Sequence, residues 1–282
     1  MGYREIINAN NQNEIRNNMI VLSSKIQIYL TISNNAHIMK LVKKEVWKMK
    51  GNPVVRNALA EFKENELIMA SRVYREKLVC LISEEAYYKT LQRMCESGEL
   101  VKIAKGTYHL PKVSKYGIVP PSEKEIVSAF TENETGTVTG YALYNSLNLT
   151  TQIPKTITVM SSALEGFSKT IRNVMVKRVD VDYTEPVKNM IHCLEVLQNF
   201  DKIQDINYSV FIKYVEEFSK TYTDRTFEEV ISNVNYKKST ISFLQEILRY
   251  YNCDNNLNDY LSTLSEYKHP TMEEIYETAR VS

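Results

Sequence analysis

From Asn52 onward the apolar residues of this chain recur at helical spacing. Asn52 and Pro53 read as an N-cap followed by proline at the first helical position, and Val54, Leu59 and Phe62 line one side of the helix they open. "MASRVYREKLV", Met69–Val79, predicts a second short helix with Ser71 as its cap. A third begins at Ser83, whose hydroxyl can accept an orphan backbone N–H. Glu84 and Glu85 suit the positive end of its dipole, and Gly98 suits a left-handed C-cap. Within it Tyr87, Leu91 and Met94 fall at i, i+4 and i+7 and form the inward face, which turns Tyr88, Lys89, Gln92 and Arg93 to solvent. The period then shortens. "LVKIAKGTYHL", Leu100–Leu110, predicts two short strands around a Lys105–Gly106 turn, where glycine supplies φ > 0. Three short helices followed by a small ribbon, residues 53–116, read as a winged helix-turn-helix.

The pattern continues as a mixed α/β segment over residues 117–183. Ser122 and Glu125 in "VPPSEKEIVSAF" form a capping box. "TGYALYNSLNLTTQIPKTITVMSS" predicts a helix over 140–147, a turn, and a strand over 156–161. "RNVMVKRVDV" predicts a further strand with Val174, Val176 and Val179 near one face. Residues 184–282 are helical, in segments near 186–200, 206–221, 226–236, 239–251, 256–267 and 271–280. Their aromatics, Phe211, Tyr214, Phe218, Phe243, Tyr250 and Tyr251, suit a bundle core. The expected fold is therefore α+β, mostly α, with an N-terminal winged helix, an α/β segment and a helical C-terminal part. Residues 1–52 stand apart as an Asn-rich N-terminal extension. "KKEVWKM", Lys43–Met49, can be encoded as a ribosome-binding site before a start codon, so translation is expected to begin at Met49.

Charge sharpens this division. The 282 residues carry a net charge of only +1, yet residues 1–179 hold 25 Lys+Arg against 16 Asp+Glu, and residues 180–282 hold 10 against 18. A basic front and an acidic back imply surfaces for different partners. Cys80, Cys95, Cys193 and Cys253 show no C-x-x-C pair and no zinc-ligand spacing. Cys95 and Cys193 read as buried thiols, and a reducing, cytoplasmic compartment follows. No apolar run approaches the 18 residues of a membrane span.

Enzyme chemistry has little to build on. His37, His109, His192 and His269 are scattered without a nucleophile partner, and no glycine-rich phosphate loop is present. Asp180 and Asp182 could share a strand face and hold Mg²⁺, as in a nucleotidyltransferase, but the adjacent Gly-Ser turn of such sites is missing and two solvent-facing aspartates fit better. No catalytic residue, metal or cofactor is expected.

Nucleic-acid chemistry has more. Lys89 and Arg93 can meet phosphates or guanine edges, Gln92 can pair with adenine, and Tyr88 offers a hydroxyl. Lys102 and Lys105 on the ribbon, with Lys112 and Lys115 just after it, extend a basic edge toward backbone phosphate. Residues 53–116 nevertheless balance 11 Lys+Arg against 8 Asp+Glu, and Glu84, Glu85, Glu96 and Glu99 leave open a winged helix that contacts protein only.

The order of three blocks carries a resemblance. "YYKTLQRMCESGELVKIAKGTYHLPK", "GIVPPSEKEIVSAF" and "TGYALYNSLNLTTQIPKTITVMSS" together resemble the AbiEi-type antitoxins of type IV toxin–antitoxin systems over residues 53–180. The shared positions follow the family patterns GxLxRxxKGxY, PPSExEI and TGxxALNxLGLTTQxP, with Asn148 where glycine is usual. The resemblance implies a bacterial antitoxin whose winged helix binds duplex operator DNA and represses its own operon. It also implies that residues 117–282 counteract a nucleotidyltransferase toxin without a stable complex. The alternatives are a stand-alone regulator or adaptor without a toxin, and a metal-dependent nucleotidyltransferase.

Overall fold

A computed structural model describes residues 51–262 and 264–281; the expectations for residues 1–50, including the start at Met49, lie outside them. The chain is mixed α/β with helix as the larger share. In order it forms α1 (Gly51–Leu59), β1 (Leu67–Met69), α2 (Ala70–Val73) running into a π-helical turn Tyr74–Leu78, α3 (Glu84–Glu96), β2 (Val101–Ala104), β3 (Thr107–His109), β4 (Lys112–Ser114) and β5 (Gly117–Val119). Then come α4 (Glu123–Thr131), β6 (Gly136–Thr139), α5 (Tyr141–Ser146), β7 (Ile157–Ser161), β8 (Ser168–Ile171) and β9 (Val174–Arg178). Helices α6 (Glu185–Gln198), α7 (Tyr208–Ser219), α8 (Asp224–Ile231), α9 (Lys238–Tyr250) and α10 (Met272–Val281) complete it. Two compact units result: residues 51–63 with 68–101, and residues 64–67 with 102–281. The dividing line runs through β1 and β2.

The first unit is built on the apolar faces of its helices. Val55, Leu59, Val73, Leu78, Tyr87 and Leu91 are all buried, and the Tyr74 and Tyr87 rings stack at 5.5 Å. Two caps fall differently from the sequence pattern. Helix α1 already includes Gly51, which puts Asn52 and Pro53 inside its first turn, and α2 is preceded by Met69, which puts Ser71 inside the helix. Ser83 does cap α3, accepting from the Ala86 N–H at 3.3 Å, and Gly98 adopts φ +77° just past its end. The Arg56 guanidinium clasps Glu99 with two bonds of 2.7 and 2.8 Å, linking α1 to the segment after α3.

In the second unit Leu67, β3 and β2 belong to a sheet of order β1-β3-β2, and β4 and β5 form a separate antiparallel hairpin. A four-stranded sheet of order β6-β7-β9-β8 has β7 and β9 parallel and its other pairs antiparallel. Adjacent residues Val159 and Met160 of β7 are both buried, as in a strand covered on both faces. Gly136 is required where β6 meets the end of α4: a Cβ there would collide with the Phe130 and Met160 carbonyl oxygens. Strands β6 and β8 were not legible in the sequence, and β9 ends at Arg178, so Asp180 and Asp182 lie beyond the strand instead of on its face.

The helical part has a core of Phe200, Phe211 and Phe243, whose rings pack at 4.8–6.3 Å. The helix expected over 256–267 is reduced to one 3₁₀ turn, Leu257–Tyr260. Asn258 fixes that turn by accepting from Gln245 and Arg249 on α9 at 2.9 and 3.0 Å, and further along Leu264 is almost fully exposed with no core to meet.

Candidate nucleic-acid interface

Helix α3 separates its two faces cleanly. Tyr87, Thr90, Leu91 and Met94 are buried, whereas Lys89, Gln92 and Arg93 are exposed and Tyr88 is half-buried against the Tyr87 ring. The exposed stripe is not purely basic. Lys89 Nζ lies 2.7 Å from Glu85, holding that carboxyl below its usual range, and Gln92 donates to Glu96 at 3.0 Å. Arg93 has no ion-pair partner among the described residues. Nearby, the Arg56 guanidinium and the Ser97 hydroxyl hold the Glu99 carboxyl down to about 2. Three carboxylates, Glu85, Glu96 and Glu99, thus lie in or just after the helix whose exposed cations are Lys89 and Arg93.

The ribbon β2–β3 turns at Lys105–Gly106, with Gly106 at φ +68° as the tight turn requires. Lys102 and Lys105 are exposed, and the three residues of β3 are buried. Lys169 of β8 donates to Thr107 of β3 at 2.7 Å, and its burial lowers the ammonium pKa. The remaining sequence candidates, Lys112 and Lys115, are exposed on the β4–β5 hairpin and not on the tail of the first ribbon.

That hairpin is the feature the sequence did not reveal. Val113 pairs with Ile118 across it; they are 73% and 53% exposed, and Tyr116 at its tip is 87% exposed. Lys115 Nζ lies over the Tyr116 ring at 4.8 Å. Ser114 pins the turn by accepting from the Tyr116 N–H at 3.1 Å and donating to the Gly117 carbonyl at 3.0 Å. Between Val101 and Ser122 the chain carries four lysines and no carboxylate. Gly117, followed by two β-branched residues and Pro120, was the available signal.

Other candidates disperse. Asp180 and Asp182 are exposed, Asp180 being held by Arg178 at 2.8 Å, and no group of three or more His, Cys, Asp or Glu side chains suited to a metal occurs among the described residues. His192 accepts or donates at 2.6 Å to Thr137, and His269 at 2.9 Å to Ser242. Cys193 is buried and its thiol pKa is pushed up by burial, whereas Cys95 is only half-buried. Among the described residues no helix is long and apolar enough to cross a membrane.

These elements define a mixed α/β protein whose leading segment runs helix, strand, helix, helix, strand, strand, and which continues through a four-stranded sheet into a helical part. The profile of DUF6088, a family of unknown function, matches residues 57–206, and the chain belongs to that family. The match begins in α1 and ends between α6 and α7. No curated protein matches the chain.

Proposed function

We propose that this protein is a winged-helix DNA-binding regulator, acting in the cytoplasm as the antitoxin of a type IV toxin–antitoxin pair. It represses its own operon and counteracts a nucleotidyltransferase toxin without a stable complex. The observation that carries the DNA-binding part is the exposed Lys89, Gln92 and Arg93 stripe of α3, opposite a fully buried face. Such a helix can enter a major groove, where one bidentate base contact contributes about 1–3 kcal/mol of discrimination. The order α1-β1-α2-α3-β2-β3, with strands arranged β1-β3-β2, supports the winged-helix reading. Lys105 at the ribbon turn suits a phosphate contact that positions without specifying. The antitoxin part rests on the resemblance to AbiEi-type proteins.

A gel shift with the protein's own promoter tests this reading. The wild type should bind, and Lys89→Ala and Arg93→Ala should each weaken binding. If both variants shift the DNA as the wild type does, α3 is not the reading helix. Co-expression with the neighbouring gene tests the rest: rescue from a nucleotidyltransferase supports the antitoxin. A stand-alone adaptor is the second reading, favoured by the pairing of Lys89 and Gln92 with carboxylates. It predicts no promoter shift at any salt concentration.

A further inference from the structure

A pocket of about 120 Å³ in the helical part gathers cations from three separate segments. Lys202 ends the turn before α7, Lys237 stands at the cap position of α9, and Lys268 precedes α10. All three are exposed, and none has an ion-pair partner among the described residues. They converge in a region, residues 180–282, that holds only 10 Lys+Arg against 18 Asp+Glu. Such a convergence leaves like charges uncompensated unless an anion joins them.

The floor of the pocket fits the same ligand. Helix α9 has 13 residues and starts without a side-chain cap, because lysine at the cap position offers no oxygen. Its first free N–H groups and its dipole therefore remain available to an anion. Gln198 accepts the Lys237 N–H at 3.0 Å and so fixes the cap residue in place. Thr240, in the first turn, lines the pocket and is only 3% exposed, yet its hydroxyl has no hydrogen-bond partner among the described residues. With no protein partner, that hydroxyl is left for water or a ligand oxygen to engage. Ser239 adds a second hydroxyl beside it.

His269 forms a wall and not a ligand: Nε2 meets Ser242 at 2.9 Å, Nδ1 meets the Pro270 carbonyl at 3.1 Å, and the ring stacks on Phe243. Asp201 is the one carboxylate of the lining, and it forms no ion pair among the described residues, so three positive charges face one negative. At ~30 Å³ per water the volume equals about four waters, room for a phosphate group but not for a nucleoside as well.

We propose that this pocket binds the terminal phosphate of a small phosphorylated ligand. The α9 N–H groups and the Ser239 and Thr240 hydroxyls donate to the phosphate oxygens, and Lys202, Lys237 and Lys268 neutralise its charge. This is independent of DNA binding by α3.

Calorimetric titration of the full chain with inorganic phosphate, at fixed ionic strength, tests it, with an unphosphorylated single-stranded oligonucleotide as the second arm. Phosphate should bind at one saturable site. Lys237→Ala and Lys268→Ala should each weaken it about tenfold, the loss expected for one charge-assisted contact. Thr240→Val, which keeps the buried volume, should weaken it with the circular dichroism spectrum unchanged. No heat up to ~20 mM phosphate would overturn the proposal, since even millimolar sites saturate there. So would binding that survives both lysine variants, or an oligonucleotide that binds and loses affinity in those variants while phosphate does not bind.

Discussion

Acidification should loosen the joint between β6 and α6 by an amount that burial of one imidazole sets. His192 of α6 lies 2.6 Å from the Thr137 hydroxyl of β6, and its pKa is held down to about 4. Burial is the main cause; Glu185 pulls the value up and Lys188 pushes it further down. The unfolded chain titrates this group near ~6.5. Between those values the unfolded state holds the extra proton, so stability is complete above about pH 6.5 and drains away as pH falls toward about 4. From pH 7 to pH 4.5 the loss amounts to about 2.5 kcal/mol, at ~1.4 kcal/mol per pH unit. Urea unfolding of the wild type and of His192→Gln at the two pH values measures it. Glutamine keeps a hydrogen-bonding atom near the Nε2 position but carries no titrating group. Glu195, whose pKa burial raises, contributes with the opposite sign, but it is present in both proteins and cancels in the comparison. The variant should lose about 2.5 kcal/mol less than the wild type over this interval. Equal losses in the two proteins would show that the imidazole is not kept neutral by burial.

Three further outcomes follow from particular contacts. Gly136→Ala should destabilise the protein by about 2–3 kcal/mol in thermal unfolding, because the added carbon meets the Phe130 and Met160 carbonyl oxygens, neither of which belongs to a flexible side chain. Lys105→Ala should weaken binding to all DNA sequences about equally and lower the slope of log affinity against log salt by about one; an unchanged slope removes the ribbon from the contacts. Tyr116→Ser with Val113→Ser should leave stability within about 0.5 kcal/mol of the wild type, since both side chains are mostly in solvent, while reducing promoter affinity. Undiminished affinity would separate the β4–β5 hairpin from DNA contact.

The features legible in the sequence are those that a few neighbouring residues determine. The inward triad of α3, the Ser122–Glu125 capping box and the left-handed Gly98 and Gly106 all appear as the spacing implies. Asn148 adopts φ +57°, a conformation asparagine tolerates better than most residues. What escaped depends on distant partners. Strand β1 is only three residues long, too short for a period of two to show in the sequence. Strand β8 carries the polar sequence SKTI and is defined by its register against β9. The phosphate pocket brings together Lys202, Lys237 and Lys268, whose sequence separations give no period to read. The residues of α3 show the converse limit: their exposure was legible, but the Lys89–Glu85 and Gln92–Glu96 pairings became visible only in the fold.

Those pairings decide how α3 should treat DNA. An exposed i, i+4 pair contributes only about 0.3–0.5 kcal/mol, so a base contact of ~1–3 kcal/mol can open it. The carboxylates then remain on the helix, and near a phosphate each one repels. A helix with Glu85 and Glu96 therefore loses affinity for any duplex, and recovers it only where Lys89, Gln92 and Arg93 find base partners. On the proposed DNA-binding reading, their effect would be to suppress non-specific binding and so to widen the gap between operator and other DNA. Glu85→Gln with Glu96→Gln should raise affinity for unrelated duplex more than for the promoter, which competition binding at one salt concentration resolves. If the double variant leaves both affinities unchanged, these carboxylates do not face the duplex, and α3 presents a different side to its partner.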